Sequence, residues 1–145
     1  MVQRIVWIFS IAGAVVLAAI TAMLFSGQSH IRVPAIAALV TFAAVILSYL
    51  GGIEWGLALQ ESAGTERTRA IGLGLSTIPA LAAWGILWAP SPTWQVGGAL
   101  ALFVVVWGAD LWLARQGLIP SWFVDMRTAV TAAVCVILGV ALYLI

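Results

Sequence analysis

From Ile5 to Phe25 the chain runs for 21 residues without a charged side chain. As an α-helix rising about 1.5 Å per residue, that stretch measures roughly 30 Å, the thickness of a bilayer's hydrocarbon core. Four comparable runs follow, at 33–59, 70–88, 94–114 and 128–145. Within lipid every backbone N–H and C=O needs an internal partner, so runs of this length predict helices. The expected fold is all-α: a five-transmembrane-helix bundle forming one transmembrane domain over 1–145. Composition excludes the soluble alternative, because 64% of residues are hydrophobic and 8% charged, against about half and a quarter in soluble domains. The first run has some features of a signal peptide, with Arg4 before it and the small Ser26, Gly27 and Ser29 after it. Signal h-regions hold about 7 to 15 apolar residues, so this longer one is expected to stay as an uncleaved first helix.

Local signals refine the frame. Pro34 is placed in the first turn of the second helix, where a missing N–H is harmless. Ser48, Gly52 and Gly56 recur every four residues, a helix-packing row that lets another backbone approach closely in lipid. Glu54 is expected on the opposite side of that helix. The polar stretch 60–69, holding Glu61, Glu66, Arg67 and Arg69, reads as a loop. Pro79 predicts a kink in the third helix, its freed carbonyls turned toward neighbours or a Ser/Thr hydroxyl. The connection 116–126, with Leu118, Ile119, Trp122 and Phe123, is expected to lie in the headgroup layer. No internal repeat is evident, and an odd helix count argues against an inverted two-fold repeat.

Five spans put Arg4, Arg67, Arg69, Arg115 and Arg127 on one side and Arg32 alone on the other. That asymmetry over short loops predicts a cytoplasmic N-terminus and an external C-terminus, in a multi-pass protein. The tryptophans then divide into an outer belt of Trp84, Trp88 and Trp94 and an inner one of Trp7, Trp55, Trp107, Trp112 and Trp122.

Chemistry has one natural place. Glu54 and Asp110 each sit one to two turns inside the cytoplasmic boundary, so they can meet there. Arg67, Arg69, Arg115 and Arg127 are near, and Trp55, Trp107 and Trp112 surround them in sequence. These acids either pair with arginines to fix helix packing, line a polar pocket open to the cytoplasm as proton carriers or cation ligands, or meet a protein partner. Other chemistries lack their residues. There is no lysine for a Schiff base, and no basic stripe for nucleic acid among scattered arginines. The one histidine, His30, and the one cysteine, Cys135, lie on unrelated segments. No metal site, haem ligation, cofactor or Ser-His-Asp triad is therefore expected.

The segment Leu47-Ser48-Tyr49-Leu50-Gly51-Gly52-Ile53-Glu54-Trp55-Gly56-Leu57-Ala58 resembles the hallmark of an uncharacterised membrane family that includes transmembrane protein 69, the domain of unknown function 3429. Leu73-Gly74-Leu75-Ser76 with Pro79 and Trp84 resembles its third helix. Asp110, Arg115, Gly117-Leu118-Ile119-Pro120-Ser121-Trp122-Phe123 and Arg127 resemble its fourth-helix exit and following loop. The resemblance covers roughly 35–131 and implies a bacterial inner-membrane protein or a mitochondrial relative, with no activity attached. It departs at Glu54, where histidine is frequent in that family. A second five-helix, tryptophan-rich family, the translocator proteins that bind porphyrins and sterols, is similar in size, but its motifs do not match. The leading expectation is a non-enzymatic accessory, assembly or scaffolding protein, joined through the Ser48/Gly52/Gly56 face to another membrane protein or a second copy. The alternative is a small permease or binder of a hydrophobic or cationic molecule. A lipid-modifying enzyme is the third.

Overall fold

The computed structural model describes residues 1–60 and 64–145. Within them the chain forms five α-helices and no strand: α1 (Val2–Leu24), α2 (Ser29–Ala58), α3 (Glu66–Ile86), α4 (Pro92–Arg115) and α5 (Ser121–Leu144). All five are long and apolar enough to cross a membrane, and the chain is a multi-pass membrane protein.

The helices begin before the apolar runs, and at α3 local capping is the cause. Thr65 accepts the Thr68 N–H on its hydroxyl at 3.2 Å, with Glu66 in the first turn, where a carboxylate suits the helix dipole. Glu66, Arg67 and Arg69 therefore belong to α3 rather than to the expected loop, while Glu61 lies outside the described residues. Helix α2 starts four residues before the expected 33, which puts Pro34 in its second turn. There it leaves only a carbonyl near the exposed helix start without its donor. Helix α3 continues through Pro79. The Ser76 and Thr77 hydroxyls donate to the Leu73 and Gly74 carbonyls, each at 2.8 Å, rather than to the Leu75 carbonyl that the proline frees.

The connection after α4 departs most from expectation. Gly117 takes φ +80°, and the Leu118 N–H bonds back to the Leu113 carbonyl at 3.1 Å, a close of the helix that a left-handed glycine makes possible. Pro120 then precedes α5, which begins seven residues earlier than 128. Leu118, Ile119, Phe123 and Met126 are buried with Leu113 in an apolar cluster of their own. These side chains find a partner surface inside the protein, so the segment folds as a cap over the end of the bundle.

Helix α1 touches α2 and α5, α3 touches α2 and α4, α4 touches α5, and α2 touches α4 across the middle. Among the described residues the backbones of α2 and α5 do not come close, nor do those of α1 and α4, although the Arg32 side chain of α2 donates to the Leu144 carbonyl at the far end of α5 at 2.9 Å. In cross-section the bundle is thus a triangle, α2–α3–α4, sharing one edge with a quadrilateral, α1–α2–α4–α5. The triangle closes because Gly51 of α2 lies against the backbone of α3, where a Cβ would overlap the Ser76 carbonyl oxygen. Four helices around a quadrilateral have no such contact across the diagonals, and a space remains between them.

Candidate functional site

Helices α2, α4 and α5 each bury a stripe at the 3-to-4-residue helical period, and each stripe includes one charged residue. On α2 the stripe runs Leu47, Leu50, Gly51, Glu54, Ala58. On α4 it runs Ala99, Leu102, Phe103, Val106, Asp110, Leu113, and on α5 Phe123, Met126, Arg127, Thr131, Val134. The three charges converge where the stripes face one another. Glu54 is 3% exposed, Asp110 1% and Arg127 4%. Arg127 donates its Nε–H to Asp110 Oδ2 at 2.7 Å, and Glu54 lies beside the pair with neither of its oxygens hydrogen-bonded among the described residues.

Two ionised carboxylates are acceptors only and cannot bond one another, whereas one proton between them supplies the missing donor. The set therefore carries a formal charge of −1 with both acids ionised and 0 with one proton held. It can take up or release a single proton without exceeding one unit of charge. Breaking such a buried pair by removing one partner costs about 3 to 5 kcal/mol, because the survivor stays buried and uncompensated.

Beside this set lies a cavity of about 300 Å³ inside the quadrilateral, lined by α1, α2, α4 and α5. Its walls are apolar: Gly13 and Ala14 of α1, Ile46 and Leu50 of α2, Phe103 of α4 and Val134 of α5 are among them. The most exposed lining side chains are Phe9 of α1 (72%) and Tyr49 of α2 (67%), so its mouth opens between those helices toward lipid. Arg127 and Thr131, one turn apart on α5, also contribute to the wall. Among the described residues neither Arg127 Nη2 nor the Thr131 hydroxyl, itself 5% exposed, has a hydrogen-bond partner. Buried donors in apolar surroundings are normally paired.

The remaining sequence candidates fall elsewhere. Arg67 and Arg115 are exposed, and Arg69 is half-buried. Trp55 and Trp112 face outward. Trp107 donates its indole N–H to the Thr128 hydroxyl at 3.0 Å, and none of the three lines the cavity. Ser48, Gly52 and Gly56 are exposed, and a Cβ at either glycine would meet nothing. Within the chain the close approach is made instead by Gly51. Sequence reading missed Gly51, Thr131 and the cavity. The first was within reach, since Gly51 lies on the Leu47–Glu54–Ala58 stripe. Thr131 lies four residues after Arg127 on its face, but nothing in the sequence marks a gap between α2 and α5. Among the described residues no cluster of His, Cys, Asp and Glu suits a metal ion.

Comparison with known proteins gives a family and a relative. Transmembrane protein 69 of Xenopus tropicalis is 36% identical over 95 residues, which cover 63% of this chain and 36% of that protein. The chain therefore spans little more than a third of the length of that relative. No solved structure matches. The profile of the family described as "Protein of unknown function (DUF3429)" matches residues 2–143, and the chain, matched from one end of its helical bundle to the other, belongs to that family.

Proposed function

We propose that this protein binds a small hydrophobic molecule drawn laterally from the bilayer into the cavity of the quadrilateral. One observation carries the reading: an apolar space of about 300 Å³ enclosed by α1, α2, α4 and α5. That volume is at the lower end for small-molecule sites, and a designed apolar cavity half as large holds benzene. Cationic ligands are disfavoured, because neither Glu54 nor Asp110 lines the space and the charged group that does is a guanidinium. The lopsided arginines support a cytoplasmic N-terminus, which would set the charged set toward the cytoplasmic side.

Photolabelling in lipid nanodiscs with an alkyl diazirine tests the binding. Saturable labelling of α1, α2 and α5 at the cavity wall is expected, lost when Gly13→Leu fills the space. Labels spread evenly over lipid-facing residues, and unchanged in the variant, would overturn it.

A second reading, as an accessory or scaffolding component, is favoured by the outward Ser48/Gly52/Gly56 row, which has open space around it. Under it, Gly52→Ile reduces association with a second copy or another membrane protein. A monomer in mild detergent, indifferent to that substitution, would remove this reading.

A further inference from the structure

The cavity has a shape as well as a volume. Its lining runs from Val6 to Ala14 on α1, from Ile53 to Ile46 on α2 and from Phe123 to Val134 on α5, which is roughly 10 to 17 Å of helix. Buried side chains shut both ends. Phe123 and Met126 close the end beside the charged set, and Phe103 and Val134 close the other, about two helical turns beyond the Asp110–Arg127 pair that holds α4 and α5 in register. The opening is at the side and at mid-length, because Phe9 lies between Val6 and Ala14, and Tyr49 between Ile46 and Ile53. An apolar space half this volume holds the six carbons of benzene, so this one has room for about twelve. Drawn out in single file, that many carbons reach the length of the lining, whereas gathered into rings they fall well short of it. The charged residue of the wall, Arg127, is already bonded to Asp110, and an unpaired charge brought in among apolar walls is costly.

Building on the binding reading above, we infer that the occupant is one uncharged, unbranched alkyl chain of about twelve carbons, free in the bilayer. It enters sideways between Phe9 and Tyr49 and lies along the bundle axis in both directions from that opening. The tail of a diacyl lipid, tethered outside, would enter at mid-length and turn toward one end only. The half left empty would forfeit the packing contacts on which association in lipid rests. A branched chain would crowd the helices at its branches, which overpacks them.

The test is photolabelling of the full chain in nanodiscs by an alkyl diazirine, with added hydrocarbons as competitors. Each competitor is scored by its mole fraction in the lipid when labelling of the cavity wall is halved, which removes its partition between water and bilayer. Dodecane is expected to compete at least about fivefold better than octane or hexadecane, and by the same margin over its branched isomer pentamethylheptane and over cyclododecane. Ile46→Ala, which opens the end away from the charged set by about three carbons, is expected to move the optimum toward tetradecane. Ala14→Val, which narrows the same end, is expected to move it toward decane, and the thermal midpoint reports that each variant is folded. Competition that rises steadily with chain length, or is equal for the three twelve-carbon compounds, overturns the chain assignment while the binding reading stands. Wall labelling in diphytanoyl phosphatidylcholine, whose tails are branched, but not in straight-chain dimyristoyl phosphatidylcholine would give the site to a bilayer tail and overturn the free chain. Absence of saturable wall labelling in both lipids, with Gly13→Leu indifferent, removes the binding reading itself.

Discussion

The triangle and the quadrilateral share the α2–α4 edge yet solve the packing problem in opposite ways. In the triangle a glycine brings two backbones into contact, Gly51 against Ser76, and Gly72 sits close to Ala58. In the quadrilateral the glycine that faces inward, Gly13, has the Ile46 side chain 3.8 Å from where its Cβ would be, an ordinary contact with room to spare. Lipid gives little hydrophobic drive to close a gap between helices, so association rests on van der Waals fit and on interhelical polar contacts. Where the fit is supplied by glycine the seam closes, and where it is not, the charged set holds the helices at a distance. Arg127 and Asp110 join α5 to α4, Glu54 lies beside them on α2, and the backbones of α2 and α5 remain apart.

The largest test of this contrast is Asp110→Ala, which leaves Arg127 buried without its carboxylate. A loss of about 3 to 5 kcal/mol is expected, read by denaturant-driven unfolding in mixed micelles. Gly51→Ala comes next. Its new methyl meets backbone that cannot swing aside, and a loss of about 1 to 3 kcal/mol is expected, whereas the adjacent Gly52→Ala, with open space around it, is expected to be neutral or slightly stabilising. On the cavity side the sign reverses. Gly13→Ala fits within the space and removes a flexible helical residue, so a gain of about 0.5 to 1 kcal/mol is expected, seen as a raised thermal midpoint. The smallest effect is that of Thr131→Val, which replaces an unpartnered hydroxyl by a methyl and is expected to change stability by less than about 1 kcal/mol, in the stabilising direction.

Much of this architecture is legible in the residues. Five apolar runs of spanning length define five helices, because in lipid the backbone has almost no other option. The meeting of Glu54 with Asp110 follows from their equal distance to one end of the bundle, and Arg127 joins them once α5 begins at Ser121. That early start was hidden by reading hydropathy as a helix boundary, since Pro120 and the buried Phe123 and Met126 extend the helix below the apolar run. The Ser48/Gly52/Gly56 row drew the eye because its period is regular. Gly51 carries the intrachain contact because it shares a face with Leu47 and Glu54, and a small-residue period does not reveal which face turns inward. The cavity was out of reach altogether. It arises from which helices fail to touch, and that depends on the sum of four interfaces rather than on any one segment.

Methyl NMR of the protein in lipid nanodiscs, titrated with undecane, reads both halves of the bundle at once. The account predicts saturable shifts at Ile46, Val130 and Val134 around the cavity, with Ala58 in the α2–α3 seam and the lipid-facing Val105 and Val136 unmoved. Shifts that grow without saturation and are equal at Val105, Val136 and the cavity methyls would contradict it, since they would mean that the probe dissolves around the bundle and not inside it.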